Sequence, residues 1–291
     1  MLLDFIIIGA QKSGTTALLH TLKHHPDIDV SLEELNFLME KKSIQSAQKY
    51  IGEIFSDSLN GEKTIGIKGA EYLGNPQCAQ FIHKLFPEVK LIAILRNPVD
   101  RAISAYHHLI RYGQMPTLEA EEGIRMVFDE ELDNDYPEAK TIREYGLYYR
   151  HLSVWEQVYG KDALLILKQE NLDRDIVKES MRVVKFLGLK DSNLPQPTRR
   201  RQAVTYQSER LKFLAMAGKI RVKLLKWDKA PKKLREIFAK FVWYLARAVD
   251  LMVLKYIFGD NQPEISEGLR KRVARYYKDD QDKMLTLKCI Q

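Results

Sequence analysis

Cysteine is nearly absent from this chain, and its two copies, Cys78 and Cys289, lie far apart. Neither belongs to a CxxC pair or has histidine at metal-ligand spacing, so a disulfide framework and a zinc site are both unsupported. A reducing compartment follows as the expectation, and a cytoplasmic location with it. Long apolar runs are also missing. The N-terminal MLLDFIIIGAQKSG has no basic region before its short apolar stretch, which Asp4 and Gly9 interrupt. It reads as neither a signal peptide nor a membrane anchor. The longer stretch from Phe241 to Phe258 carries Arg247, Asp250 and Lys255. Each would cost about 2.5–3.5 kcal/mol near the centre of a bilayer, so this segment reads as an amphipathic helix of a soluble protein.

The chain has ample material for a core: 291 residues, 45% of them hydrophobic and 29% charged. A miniprotein and a disordered tail are excluded. The net charge of +7 is unevenly placed. Between Arg199 and Lys240 fourteen Lys and Arg stand against three acids, a local +11, so the remainder is acidic. Such a segment suits an anionic partner, and peripheral contact with a membrane surface through basic C-terminal helices is one reading of it. A solvated helical face is the other. No nucleic-acid-binding motif or regular aromatic interleave accompanies the charge, so no nucleic acid is expected.

Apolar, β-branched runs at Phe5–Ile8, Val89–Leu95 and Ala163–Leu167 predict strands, and Ile65-Gly66-Ile67 is strand-like. Helical spacing follows the first run, resumes over Val99–Tyr112 with Pro98 in the first turn, and recurs over Tyr148–Tyr159. Strands alternating with helices predict an α/β fold, a P-loop-like parallel sheet flanked by helices on both faces. Pro-containing punctuation at 194–198 separates a 1–194 nucleotide-binding core from a helical, basic portion over 195–291, all within a single domain. Thr117–Tyr136 is strongly acidic and reads as an exposed helix plus a loop.

Gly9-Ala-Gln-Lys-Ser-Gly-Thr-Thr16 lies where the first strand turns into a helix, so its N–H groups converge on an anion. Compared with the triphosphate pattern GxxxxGK[ST], the glycines stand in register at 9 and 14, but Thr15 replaces the lysine and Lys12 comes early. The Val89–Leu95 run ends in Arg96 where a magnesium site would need an acid. Arg96 and Ser104 instead offer a cation and a hydroxyl to a second phosphate, one carrying no metal. His24, His25, His107 and His108 have no acid or cysteine at ligand spacing and read as packing or surface residues.

Together these motifs resemble the sulfotransferases that use 3′-phosphoadenosine 5′-phosphosulfate (PAPS). IleIleGlyAlaGlnLysSerGlyThrThrAlaLeuLeu (7–19) resembles that family's 5′-phosphosulfate loop, and LeuIleAlaIleLeuArgAsnProValAspArgAlaIleSerAlaTyr (91–106) its 3′-phosphate motif. The likeness extends over about 5–172 and returns weakly over 263–287. It implies sulfuryl transfer from PAPS to a hydroxyl by in-line attack, without a metal. The loop residues Gln11, Lys12, Ser13, Gly14, Thr15 and Thr16 would hold the 5′ side, with Lys12 beside the bridging oxygen. Lys68 would lie close to the sulfonate, and Arg96 and Ser104 would hold the 3′-phosphate. Tyr148 matches a family tyrosine, and Arg199-Arg200-Arg201 is the candidate for a basic loop closing over the 3′ side, although Gln202 stands where the family often has Asn.

The histidine base of the phenol- and steroid-sulfating branch has no counterpart in Ile67–Tyr72. SerLeuGluGluLeuAsnPheLeu (31–38) resembles instead the base-bearing segment of the glycan-modifying branch, the heparan-sulfate type, and aligns Glu34 with the base, Glu33 being one residue away. The implied acceptor is a carbohydrate or a glycosylated small molecule. Two other classes compete with this reading: a P-loop nucleotide kinase or NTPase with a degenerate lysine motif, and a non-catalytic protein that binds anionic surfaces through its basic helices.

Overall fold

The computed structural model describes residues 3–34, 38–39, 43–56, 63–195, 207–228, 230–259, 261, 263–284 and 286, with Glu33 and Glu34 described by backbone alone. The elements run β1 (Phe5–Gly9), α1 (Thr15–Leu22), β2 (Ile28–Glu34), α2 (Ile44–Ile54), β3 (Thr64–Lys68), α3 (Gln77–Leu85), β4 (Lys90–Leu95) and α4 (Pro98–Arg111). They continue with α5 (Ala120–Phe128), α6 (Glu138–Glu144), α7 (Tyr148–Tyr159), β5 (Leu164–Lys168), α8 (Gln169–Arg174) and α9 (Ile176–Leu187). The last are α10 (Ser208–Lys226), α11 (Lys232–Val249), a π turn (Asp250–Leu254), α12 (Lys255–Phe258) and α13 (Glu267–Met284).

Contacts gather in two compact units, each assembled from separated stretches of chain. The first holds residues 1–101, 145–201 and 277–291. Its centre is a five-stranded sheet of order β2-β3-β1-β4-β5, parallel throughout. The expected strands are present and β1 is central. Alternation along each strand sends residues to two separate cores. Ile6, Ile8, Leu91 and Ala93 pack with α2, α3 and α7 on one face. Phe5, Ile7, Ile92 and Ile94 pack with α1, α8 and α9 on the other. Strands buried on both faces read as continuous apolar runs, which is why β1, β4 and β5 were visible in sequence.

In a parallel sheet every strand's C-terminal end lies along one edge, and ligands bind there, where the strand order reverses. Connections from β1 run first to one side, through β2 and β3, and then cross to β4 and β5. The reversal therefore falls beside β1, whose C-terminal end leads into the glycine loop.

The second unit holds residues 102–144 and 202–276. The acidic segment differs from expectation: α5 buries Ala120, Gly123, Ile124 and Val127 and exposes only its charged side. Arg125 there joins Glu122, Asp129 and Glu131 at 2.6–3.0 Å. Phe241–Phe258 is helical as expected, spread over α11, the π turn and α12. None of the helices among the described residues is long and apolar enough to cross a membrane.

Candidate active site

The loop between β1 and α1 is shaped by three residues in the left-handed half of backbone space. Gly9 has φ +150°, and a Cβ on it would come within 2.9 Å of the Leu73 Cβ and 3.0 Å of the Ala70 carbonyl oxygen. Gly14 has φ +93° with its nearest neighbours 3.9 Å away, so dihedral preference alone demands glycine there. Lys12, with φ +69°, is not a glycine, and such a residue costs on the order of 1–3 kcal/mol and clusters at functional sites. Surrounding bonds hold it. Ala10 N–H donates to the Ile94 carbonyl at 2.8 Å, and the Arg96 guanidinium donates to the Lys12 carbonyl at 3.1 Å. The loop is thus clipped to the end of β4 at two points.

Gly14 is also the N-cap of α1, and no side chain caps this helix. Its first turn contains no acid. The opening amides of a helix have no carbonyl acceptor within it and carry its positive partial charge, so this end presents unfilled donors to an anion. Ser13 of the loop and Tyr148 of α7 are buried, and neither hydroxyl completes a well-aligned hydrogen bond among the described residues. Burial pushes the Tyr148 pKa up, partly offset by Arg101, the Arg96 backbone and the neighbouring Ser13 hydroxyl. A nucleotide phosphate fits this uncapped, cation-flanked cradle.

Lys68 ends β3 and is 95% buried, with Nζ donating to Thr16 Oγ1 at 2.9 Å. An ammonium this buried stays charged only among polar partners. The strand register then brings in a fourth residue: Glu34, the last of β2, is the backbone partner of Lys68. Lys12, Lys68, Arg96 and the Glu34 backbone therefore share the C-terminal edge of the sheet. Gln11 reaches outward from the loop, Nε2 donating to Glu71 Oε1 at 2.9 Å. Ser104 is buried on α4 in the second unit. Arg200 and Arg201 lie outside the described residues.

Sequence reasoning missed three contributors. Arg101, entirely buried, approaches the Tyr148 hydroxyl. It was present in the ArgAsnProValAspArg motif, of which only the first arginine was used. Glu71 followed Lys68 in a quoted segment without a role. Asp280 on α13 carried no signal at all: its carboxylate accepts the backbone N–H groups of Tyr149 and Arg150 at 2.9 and 3.0 Å. It caps α7, whose own N-cap position is Leu147. Replacing Asp280 with Ala is expected to lower unfolding free energy by about 1–2 kcal/mol, the typical worth of such a cap, as chemical denaturation would measure. Of the four histidines read as packing or surface residues, three meet backbone carbonyls, His24 that of His20 at 2.9 Å, His25 that of Lys190 at 3.0 Å and His107 that of Ile103 at 2.8 Å, whereas His108 lies 3.4 Å from the Arg111 guanidinium.

Five parallel strands with a glycine-capped phosphate loop after the first define an α/β protein of the phosphate-loop kind. The sulfotransferase domain family matches residues 2–224, and the chain belongs to that family. Human heparan sulfate glucosamine 3-O-sulfotransferase 6 is 31% identical over 186 residues, 64% of this chain and 52% of that protein. The bifunctional heparan sulfate N-deacetylase/N-sulfotransferase 1 of Caenorhabditis elegans is 27% identical over 179 residues, 58% of this chain and 20% of that protein. The chain thus spans about half the length of the first of these relatives, and less of the second. Among solved structures, a sulfotransferase from Alicyclobacillus acidocaldarius shares the fold, with a TM-score of 0.58 and 24% identity over 89% of this chain and 96% of that one.

Proposed function

We propose that the protein transfers a sulfuryl group from PAPS to a hydroxyl of a carbohydrate or a glycosylated small molecule, with Glu34 as general base. The observation that carries this reading is the backbone pairing of Glu34 with Lys68 across β2 and β3, while Lys68 is bonded to Thr16 of the phosphate loop. A base and a cation adjacent to a phosphate cradle are the parts that sulfuryl transfer needs.

When bound, PAPS supplies the sulfuryl group and leaves as adenosine 3′,5′-bisphosphate. The loop amides and the Thr15 and Thr16 hydroxyls hold its 5′ side. Lys12 offsets the charge that grows on the departing phosphate, and Lys68 does the same at the sulfonate. Glu34 takes the proton from the acceptor hydroxyl as its oxygen bonds to sulfur. Arg96 has two tasks, since it holds the Lys12 carbonyl and offers its remaining N–H groups to the 3′-phosphate; Ser104, Arg200 and Arg201 are the residues that the resemblance assigns to that phosphate. Gln11, Ser13 and Gly14 complete the loop's hold on the 5′ side, and Tyr148 lies beside Ser13. The two relatives' names, which specify heparan sulfate, support a carbohydrate acceptor.

Thermal unfolding with adenosine 3′,5′-bisphosphate, ADP and ATP, with and without magnesium, tests the donor site. A ligand at 100 times its dissociation constant adds about 2.7 kcal/mol, so the bisphosphate is expected to raise the melting temperature by several degrees, independently of magnesium. Stabilisation by magnesium–ATP alone would replace this reading with a phosphoryl-transfer one. Sulfate transfer from PAPS to a panel of oligosaccharides then tests the acceptor class.

A further inference from the structure

The second unit carries a helix with an apolar stripe on the wrong side. On α11, Ala239 and Ala246 are buried, Ala246 against α10. Leu234, Phe238, Phe241 and Leu245, at steps of four, three and four, form a continuous face turned to solvent. Met252 and Tyr256 extend the exposed surface through the π turn into α12, at 79% and 92% exposure. Monomeric soluble proteins rarely leave so many large apolar side chains adjoining one another in water. A helix apolar on both sides has a second apolar environment to meet.

The charges around it say which. Lys233 and Lys240, seven residues apart, run along one flank of the stripe, and both are exposed. Trp227, in the connection from α10 to α11, is 51% exposed. Long cationic side chains beside an apolar face can lay their stems along it and keep their heads in the polar layer, while aromatic rings favour the same depth. A second copy of this chain would bring two strongly basic faces together. Nucleic acid would meet apolar side chains at the centre of the face, where phosphates need cations.

We infer that the exposed face of α11 and α12 is a peripheral docking surface for anionic lipid bilayers. The apolar stripe enters the headgroup boundary and the flanking lysines contact acidic headgroups, with the helices lying in the plane of the membrane. This inference does not depend on the sulfuryl-transfer reading, because none of its residues belongs to the phosphate-loop site.

Flotation of the full chain with vesicles of phosphatidylcholine alone, or mixed with phosphatidylglycerol, is the test. Binding is expected to the mixed vesicles, to fall with salt as surface electrostatics are screened, and to be much weaker to the neutral ones. Phe241→Ser/Leu245→Ser should cut partitioning by at least about tenfold, since both side chains lose their apolar burial. Lys233→Gln/Lys240→Gln should cut it roughly 25-fold, about fivefold for each lysine near an anionic surface. All four positions are exposed, so the melting temperature should stay unchanged and report an intact fold. Absence of flotation with either vesicle would overturn the inference. So would undiminished flotation of the Phe241/Leu245 variant, or self-association lost in that variant without any vesicle binding.

Discussion

Glu34→Gln is expected to remove sulfate transfer while leaving nucleotide binding intact. The amide keeps the size of the carboxylate and loses only the capacity to take a proton. Positioned general bases contribute about 10²- to 10⁴-fold, which sets the expected fall in turnover at saturating donor and acceptor. Binding should survive because the cradle comes from other parts of the chain: the loop after β1, the end of β3 and the end of β4. Glu34 is the terminal residue of β2, and the β2–β3 ladder is built from backbone groups that the substitution leaves in place. The paired readout is turnover, together with the rise in melting temperature caused by adenosine 3′,5′-bisphosphate. Turnover within a few-fold of the parent protein would move the base elsewhere, and Glu33→Gln made alongside would show whether it moves by one residue.

The largest loss of stability is expected from Asp250→Ala. Asp250 is fully buried in the second unit and answers two arginines. Arg210, 1% exposed, donates from Nε to one carboxylate oxygen at 2.7 Å and from Nη2 to the other at 3.2 Å. Arg247 donates to the second oxygen at 2.6 Å. A third Arg210 bond, to the Gly259 carbonyl at 2.8 Å, ties the start of α10 to the end of α12. Burial and the neighbouring cations already lower the Arg247 pKa, so removing the Asp250 carboxylate takes away an anion that both guanidinium groups bond at a largely buried site. Breaking a buried pair from one side costs about 3–5 kcal/mol, whereas replacing both partners with apolar residues is often close to neutral. Unfolding in urea should show the Asp250→Ala midpoint far below the parent's, with Arg210→Met/Arg247→Met/Asp250→Leu recovering most of the difference. A loss under about 1 kcal/mol would mean that water reaches and solvates the arginines.

Much of the first unit was legible because its physics is local. Both faces of β1, β4 and β5 are buried, so each is a run of apolar residues with no alternation to decipher. Pro98 marked the first turn of α4, and Asn97 caps it, its Oδ1 accepting the Val99 N–H at 3.0 Å. β2 escaped notice as a strand. It lies at the sheet's edge with one neighbour, and Ile28-Asp-Val-Ser-Leu-Glu33 alternates apolar with polar, a pattern that a search for apolar runs passes over. Its final residues were reached only through resemblance to the base-bearing segment of the family. The acidic helix α5 was read by its charge, which describes one side; the spacing of Ala120, Ile124 and Val127 described the other.

The glycine loop illustrates what sequence determined unaided. Gly9 and Gly14 hold backbone angles that side chains disfavour, and a strand-to-helix turn with those two residues can be recognised without knowing its neighbours. Dihedral preference belongs to each residue. Tertiary structure decided which groups meet around that turn. Lys68 and the Glu34 backbone are partners because β2 pairs with β3 through a shift in register after Val30; Arg96 reaches the Lys12 carbonyl across the sheet edge; and Asp280 caps α7 from 131 residues beyond Tyr149. Each of those meetings requires closing a loop of chain whose entropy is repaid only when the whole core forms, so no short window of sequence could contain it.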